Sequence, residues 1–381
     1  MNKIICKVAH CKICDEGIPE DLFGRKENDK NIICSTNNII STFNKDIINR
    51  LKRYIEILML GKQGFGAKEI SNKTGFCLSS IRGYLHGKYA PNFYKEIKKC
   101  SWLPLKTSKE LAYLCGFLFG DGHLRKELSS STFCNENLNL LNTVNEYLKI
   151  VFGQKQHLSI RMSNYKINGY TYKNKKKHLI YTNSLISRTF YICGIPKGNK
   201  TKQYLTIPNW IQNNKLYLRY FLAAIFDSEG CANLSELNRR KIKISCSLSM
   251  KNKKFIKELI ELFNKLDITT SKESKNRKNM YRFYINVSID NMIKLYTLIP
   301  LKHPDKKKNI EILFEKWDEY YTDKNLCPQC KRYYIYKRKR KTPIWYCPHC
   351  HIEFDEPLTW TKLNPLKQRL THKQIKYYSY N

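Results

Sequence analysis

Acidic residues are scarce in this chain of 381 residues: 32 Asp and Glu stand against 69 Lys and Arg, a formal charge of +37. An excess of that size points to a polyanionic partner, although charge alone does not separate a nuclease from a ribosomal protein. Long apolar runs are missing as well. The longest, Leu111 to Phe119 and Tyr220 to Phe226, fall far short of the roughly 20 residues a bilayer span needs, so nucleic acid is favoured over a membrane. The first residues, MNKIICKVAHCKIC, hold no sustained apolar core and no small-residue cleavage site. No secretory signal is expected, and the protein is expected to stay intracellular, in cytoplasm, nucleoid or nucleus. Nor is there an even set of cysteines: the fifteen present, several in CxxC pairs, fit a reducing compartment with metal sites better than a disulfide framework. What is present is ample core material. An apolar fraction of 42%, with 26 Tyr and 17 Phe, excludes a disordered basic tail and suits two or three domains.

Residues 1–50 contain Cys6, His10, Cys11, Cys14 and Cys34. Cys11 and Cys14 have ligand spacing but lack a second pair, which leaves two readings: a small zinc knuckle completed by Cys6 or His10, or ordinary free thiols. Residues 51–100 read as three short helices. Ile55, Leu58 and Met59 fall on one face of the first; Ala67, Ile70 and Ser71 belong to the second; Leu78, Ile81, Tyr84 and Leu85 form the third. The pattern resembles a helix-turn-helix, with Gly75 at the turn and Ser79, Ser80 and Arg82 on the exposed face of the recognition helix. A packing module without DNA contact is the alternative. Tyr89 to Leu105, with Pro91 and Pro104, reads as a linker.

The centre of the chain repeats itself. ELAYLCGFLFGDG (Glu110 to Gly122) and RYFLAAIFDSEG (Arg219 to Gly230) are apolar helices ending in an acid followed by glycine, with Asp121 and Glu229 108 residues apart. Ala112, Gly116 and Gly120 recur every four residues in the first, and Tyr220, Ala224 and Ser228 take the matching places in the second. Stripes with so little side chain let two helix backbones approach closely. Pairing through them sets Asp121 beside Glu229, at two helix C-termini whose dipoles repel anions. A divalent cation relieves both repulsions, and oxygen ligands of this kind suit Mg²⁺.

LCGFLFGDG (Leu114 to Gly122) and LAAIFDSEG (Leu222 to Gly230) resemble the two motifs of a single-chain LAGLIDADG homing endonuclease, over about residues 106–322. The resemblance implies an α+β fold of two pseudosymmetric αββαββα halves docked through the motif helices, and a site-specific, metal-dependent double-strand DNA endonuclease acting as a monomer. It makes Asp121 and Glu229 the ligands of catalytic Mg²⁺, with each DNA strand cut at its own centre. Phe119 departs from the family pattern where Asp227 keeps it. GIPKGNKTKQYLTIP (Gly194 to Pro208) and IPLKHPDKKKNIEIL (Ile299 to Leu313) are similar to family segments that bring a lysine to the scissile phosphate, which singles out Lys200 and, flanked by Lys306 and Lys308, Lys307.

Strand patterns accompany both motifs. Lys241, Lys243, Ser245, Ser247 and Ser249 alternate with apolar residues up to Met250; Arg282, Tyr284, Asn286 and Ser288 alternate likewise; His157, Ser159 and Arg161 alternate with Leu158, Ile160 and Met162. Such sheets have one apolar face and one polar face, which is either solvated or laid on DNA. Near the end, Cys327-x-x-Cys330 and Cys347-x-x-Cys350, 16 residues apart, have the spacing of a four-thiolate structural zinc ribbon. Between them KRYYIYKRKRK, including Lys337, Arg338, Lys339 and Arg340, holds seven basic residues in eleven and suits a phosphate backbone. The organisation expected is therefore 1–50 Cys-containing segment, 51–100 helix-turn-helix, 101–205 and 206–322 the two halves, 323–355 zinc ribbon and 356–381 basic tail. An RNA maturase acting on its own intron and a non-cleaving DNA-binding regulator are the competing classes. The acids kept at both motif ends argue against the regulator. An intein is disfavoured by an initial Met and by Tyr380-Asn381 where a His-Asn ending is expected.

Overall fold

The computed structural model describes residues 31–167, 170–237, 241–276, 279–321, 325–329, 335–338 and 344–359. The chain enters through β1 (Ile32–Cys34) and α1 (Thr36–Ser41). Next come α2 (Lys45–Lys62), α3 (Ala67–Thr74) and α4 (Leu78–Leu85), with α3 and α4 joined at Gly75, whose φ of 70° places it in the left-handed region. Where a linker is expected the chain forms α5 (Asn92–Lys99), with Tyr94 and Ile97 buried three residues apart on one face. The lysines around them hide this short amphipathic pattern in the sequence. β2 (Leu105–Lys106) then pairs antiparallel with β1.

Two halves of the same topology follow. The first runs α6 (Lys109–Phe119), β3 (Gly122–Leu124), β4 (Ser131–Asn135), α7 (Leu138–Phe152), β5 (Leu158–Ile167), β6 (Tyr170–Tyr181) and α8 (Ser184–Ile192). After the single turn α9 (Asn209–Gln212), the second runs α10 (Lys215–Glu229), β7 (Gly230–Leu237), β8 (Lys241–Met250), α11 (Lys253–Lys265), β9 (Ser274–Lys275), β10 (Tyr281–Ile285) and α12 (Ile289–Leu298). Each half is αββαββα, and each antiparallel sheet has the same order, β3-β4-β6-β5 and β7-β8-β10-β9. The equivalence extends to register, because Gly122 opposes Phe133 as Gly230 opposes Leu248. This is the α+β architecture expected from the sequence.

Helix α13 (Pro304–Tyr321) closes the second half, and β11 (Asn325–Leu326), β12 (Tyr336–Arg338), β13 (Ile344–Cys347), β14 (Ile352–Phe354) and β15 (Leu358–Thr359) form small antiparallel sheets after it. Among the described residues no helix is long and apolar enough to cross a membrane.

One large core joins both halves with the N-terminal elements. At its centre α6 and α10 pack along their small stripes. A Cβ added at Gly116 would lie 2.5 Å from the Phe221 carbonyl and 2.9 Å from the Ala224 Cβ, and one at Gly120 would lie 2.8 Å from the Ser228 Cβ. The stripes pair residue against residue as the repeat predicts. The half-buried pattern of β5 holds less well: Leu158 is partly buried, but Ile160 and Met162 are 56% and 54% exposed. The β5–β6 ribbon continues to Ile167 opposite Tyr170.

Candidate active site between the two motif helices

Both motif helices start on side-chain caps, Ser108 accepting from the Leu111 amide and Asn214 from those of Leu216 and Tyr217. Their C-termini are closed by lysines. Lys200 Nζ donates to the carbonyls of Leu118, Phe119, Gly120 and Gly122 at 2.8, 3.0, 2.6 and 2.7 Å. Lys306 Nζ donates to those of Phe226, Asp227 and Ser228 at 3.0, 2.5 and 3.4 Å. Each ammonium thus satisfies orphan carbonyls at the negative end of a helix dipole. Burial lowers the Lys200 pKa to about 8, opposed by Glu229 and Asp121, and lowers that of Lys306 as well. The counterpart of Lys200 is therefore Lys306. The expected Lys307 instead has its Nζ 5.9 Å from the Tyr296 ring centroid, because adjacent residues of α13 point to different faces.

Asp121 follows α6 after its C-cap, Gly120, and Glu229 ends α10. Asp121 accepts a 2.8 Å hydrogen bond from Asn135 Nδ2, at the end of β4. Burial nonetheless raises its pKa, against Asn135, Lys306, Lys200 and Lys177. Burial and then the Asp121 charge push Glu229 up to about 7, with Lys200 and Lys306 opposing. The register equivalent of Asn135 in the second half is Met250, which offers no donor. Beside Asp121 lies a cleft of about 490 Å³, lined also by Asn135, Lys177, Ser228, His303 and Lys306. A second opening, of about 550 Å³, is lined by His123, Arg125, Lys126, Asn199 and Lys200. The donor set fits a hard divalent cation: two carboxylates at adjoining helix C-termini, both made harder to ionise by burial, while the nearby lysines give their protons to main-chain carbonyls.

Asp227, fully buried, accepts from Tyr113 Oη at 2.7 Å and from the Lys302 and His303 amides at 2.8 and 3.0 Å. It ties α6 of one half to the segment leading into α13, the helix of Lys306, in the other. Phe119, at the equivalent place, stacks on Phe255 with ring centroids 5.1 Å apart and planes 11° apart. That end of α6 is therefore held by an aromatic contact and by Lys200, without a carboxylate. Sequence reasoning missed Asn135, Lys306 and the Tyr113 contact of Asp227; only the placement of Asp227 within its motif was visible.

Ser79 and Arg82 are exposed on α4 and Ser80 is half-buried. Arg161 is exposed opposite Lys177, and Arg282 donates to Ser249 Oγ at 2.6 Å beside Tyr284, which is 41% exposed. Lys241 and Lys243 occupy β8. Cys34 is fully buried, with its Sγ 4.0 Å from Thr189 Oγ1, so it belongs to the core; Cys6, His10, Cys11 and Cys14 lie outside the described residues. The sulfurs of Cys327, Cys347 and Cys350 lie within 4.8 Å of one another. Lys337 and Arg338 fall on β12, while Cys330, Lys339 and Arg340 lie outside the described residues.

Residues 217–299, from within α10 to the end of α12, match the model of a LAGLIDADG-like domain. The second half is LAGLIDADG-like. Among curated proteins the chain is 24% identical over 277 residues to the replication factor C small subunit of Methanocaldococcus jannaschii, covering 67% of this chain and 15% of that protein. It is 31% identical over 154 residues to the tRNA-splicing ligase RtcB of Pyrococcus furiosus, covering 37% of this chain and 15% of the ligase. The chain thus spans well under a quarter of the length of these two relatives. Similar solved structures include full-length DUF199/WhiA from Thermatoga maritima (TM-score 0.35, 15% identity, 55% of this chain and 61% of that one). Another is the homing endonuclease I-DmoI in complex with DNA and Mn (TM-score 0.30, 15% identity, 50% and 96%). The LAGLIDADG-like match covers the motif ending in Glu229, and the internal pseudosymmetry extends the same topology to the half that ends its motif in Asp121.

Proposed function

We propose that the protein is a site-specific double-strand DNA endonuclease, active as a monomer because one chain supplies both acids. The observation that carries this reading is the meeting of Asp121 and Glu229 at the adjoining C-termini of α6 and α10, each beside a lysine buried against carbonyls. Two buried carboxylates that meet there resist joint ionisation and face the phosphates of any bound duplex, and a divalent cation offsets both. Asp121, oriented by Asn135, and Glu229 would hold Mg²⁺, which would supply Lewis acidity at the scissile phosphate and to the attacking water. Lys200 and Lys306 fix the two helix ends and set positive charge where phosphate charge develops.

The curated relatives support a self-contained module. Related sequence forms a minor part, 15%, of a replication factor C small subunit and of a tRNA-splicing ligase.

The outlying parts extend the grip on DNA. Ser79, Ser80 and Arg82 lie on the recognition helix of a helix-turn-helix. Arg161 on β5, Lys241 and Lys243 on β8, and Arg282 and Tyr284 on β10 would meet phosphates and base edges. Cys327, Cys347 and Cys350, whose sulfurs lie within 4.8 Å of one another, would hold a structural zinc, with Cys330 as the fourth thiolate of the CxxC…CxxC sequence pattern. The basic sequence between the two pairs, with Lys337, Arg338, Lys339 and Arg340, would meet the phosphate backbone.

The test is selection from a random duplex library with Mg²⁺, paralleled by Ca²⁺ as a binding-only cation. Recovery of one long sequence cut on both strands with Mg²⁺ is expected. Duplexes bound in both salts and never cut identify the protein as a DNA-binding regulator instead.

A further inference from the structure

The three-helix unit α2–α4 is not tethered to the first half but built into it. Helix α2 has two buried sides: Leu51, Tyr54 and Ile55 enter the core shared with the first half, and Ile57 meets Ile70 of α3 and Ile81 of α4 in a separate cluster. The chain is held where it enters this unit and where it leaves. At the entrance Arg188 of α8, 8% exposed, donates from Nη1 to the Thr42 carbonyl and hydroxyl at 2.6 and 2.9 Å. Its guanidinium carbon lies 3.8 Å from the Phe43 ring centroid, and Phe43 meets Phe93 of α5 at 5.0 Å. At the exit, β2 returns to pair with β1, with Ile32 opposite Lys106. A buried arginine with its planar donors on main chain and its face on an aromatic ring makes a stiff junction. In the second half α12, the counterpart of α8, is covered by α13 instead, through Tyr296 Oη donating to Glu311 at 2.7 Å. The unit is also basic. Residues 51–100 contain ten Lys or Arg and three Glu, and Lys68, Lys73, Arg82 and Lys88 are exposed.

We propose that α2–α4 is a second DNA-reading surface held in fixed register with the first half, so that the recognised duplex extends beyond the cleavage region on the flank of the first half. This rests on the nuclease reading. A stiff junction fixes both the distance and the rotational phase at which α4 meets the groove, and about five inserted base pairs turn that groove about half a helical turn away. The test uses the full chain with Ca²⁺ and hydroxyl-radical footprinting on a selected duplex. Protection on that flank beyond the central region is expected, and Ser79→Ala with Arg82→Ala is expected to remove it. Such an insertion between flank and centre is expected to abolish flank protection and weaken binding about tenfold or more. Flank protection that survives Ser79→Ala with Arg82→Ala, no flank protection, or flank protection that follows the inserted DNA with unchanged affinity overturns the inference while leaving the nuclease reading intact. A chain that leaves no footprint on any selected duplex overturns both.

Discussion

Glu229 carries an unusual consequence of its place. Its pKa is pushed up to about 7 from an ordinary 4.5, so between those values the folded chain binds a proton that the unfolded chain does not. Over that window this group contributes less stability as pH rises, the reverse of a salt-bridged carboxylate. In metal-free buffer at pH 8, Glu229→Gln is therefore expected to melt above the wild type, with the difference shrinking towards pH 5. Added Mg²⁺ is expected to raise the wild-type melting temperature at pH 8 and to raise that of Glu229→Gln less. A variant that melts below the wild type at pH 8 contradicts this. At limiting Mg²⁺, cleavage is expected to fall as pH drops through about 7, because the proton competes with the cation for Glu229, and saturating Mg²⁺ is expected to move that fall to lower pH. At Asp227 the expectation is simpler. Tyr113→Phe removes one donor from a fully buried carboxylate, and thermal or urea unfolding should show a destabilisation of about 1–3 kcal/mol.

At the scale of elements, the motif helices are legible in the sequence because their signal is local: small residues every four positions, then an acid. Gly116 faces Ala224 and Gly120 faces Ser228 as that spacing implies. Gly116→Val is accordingly expected to destabilise the chain by about 1–3 kcal/mol, read as a lower melting temperature, because the added carbons meet the α10 backbone. What lies outside the reach of the sequence depends on long-range placement. Lys306 is hidden among three consecutive lysines until the phase of α13 chooses between them. The partners of Asp121 and Asp227 stand 14 and 114 residues away, and nothing in composition marks Asn135 or Tyr113. Helix α5 reads as a linker because two prolines outweigh a single apolar face of Tyr94 and Ile97.

For the whole molecule, the charge of +37 is spread over a helical unit, two sheets and a basic C-terminal region. Deleting residues 323–381 is expected to reduce the slope of log K against log salt by about 0.9 for each phosphate that this region neutralises on the duplex. Cys347→Ser is expected to abolish stoichiometric zinc without lowering the melting temperature of the two-half core, since the thiol cluster lies in sheets separate from those of the halves. The central claim is that Asp121 and Glu229 are the two cutting centres. Its most direct measurement is cleavage of a selected duplex, labelled on each strand in turn, by wild type, Asp121→Asn and Glu229→Gln with Mg²⁺. Both variants are expected to bind the duplex and to fail to make the double-strand break. Either variant cutting both strands at the wild-type rate would contradict the assignment.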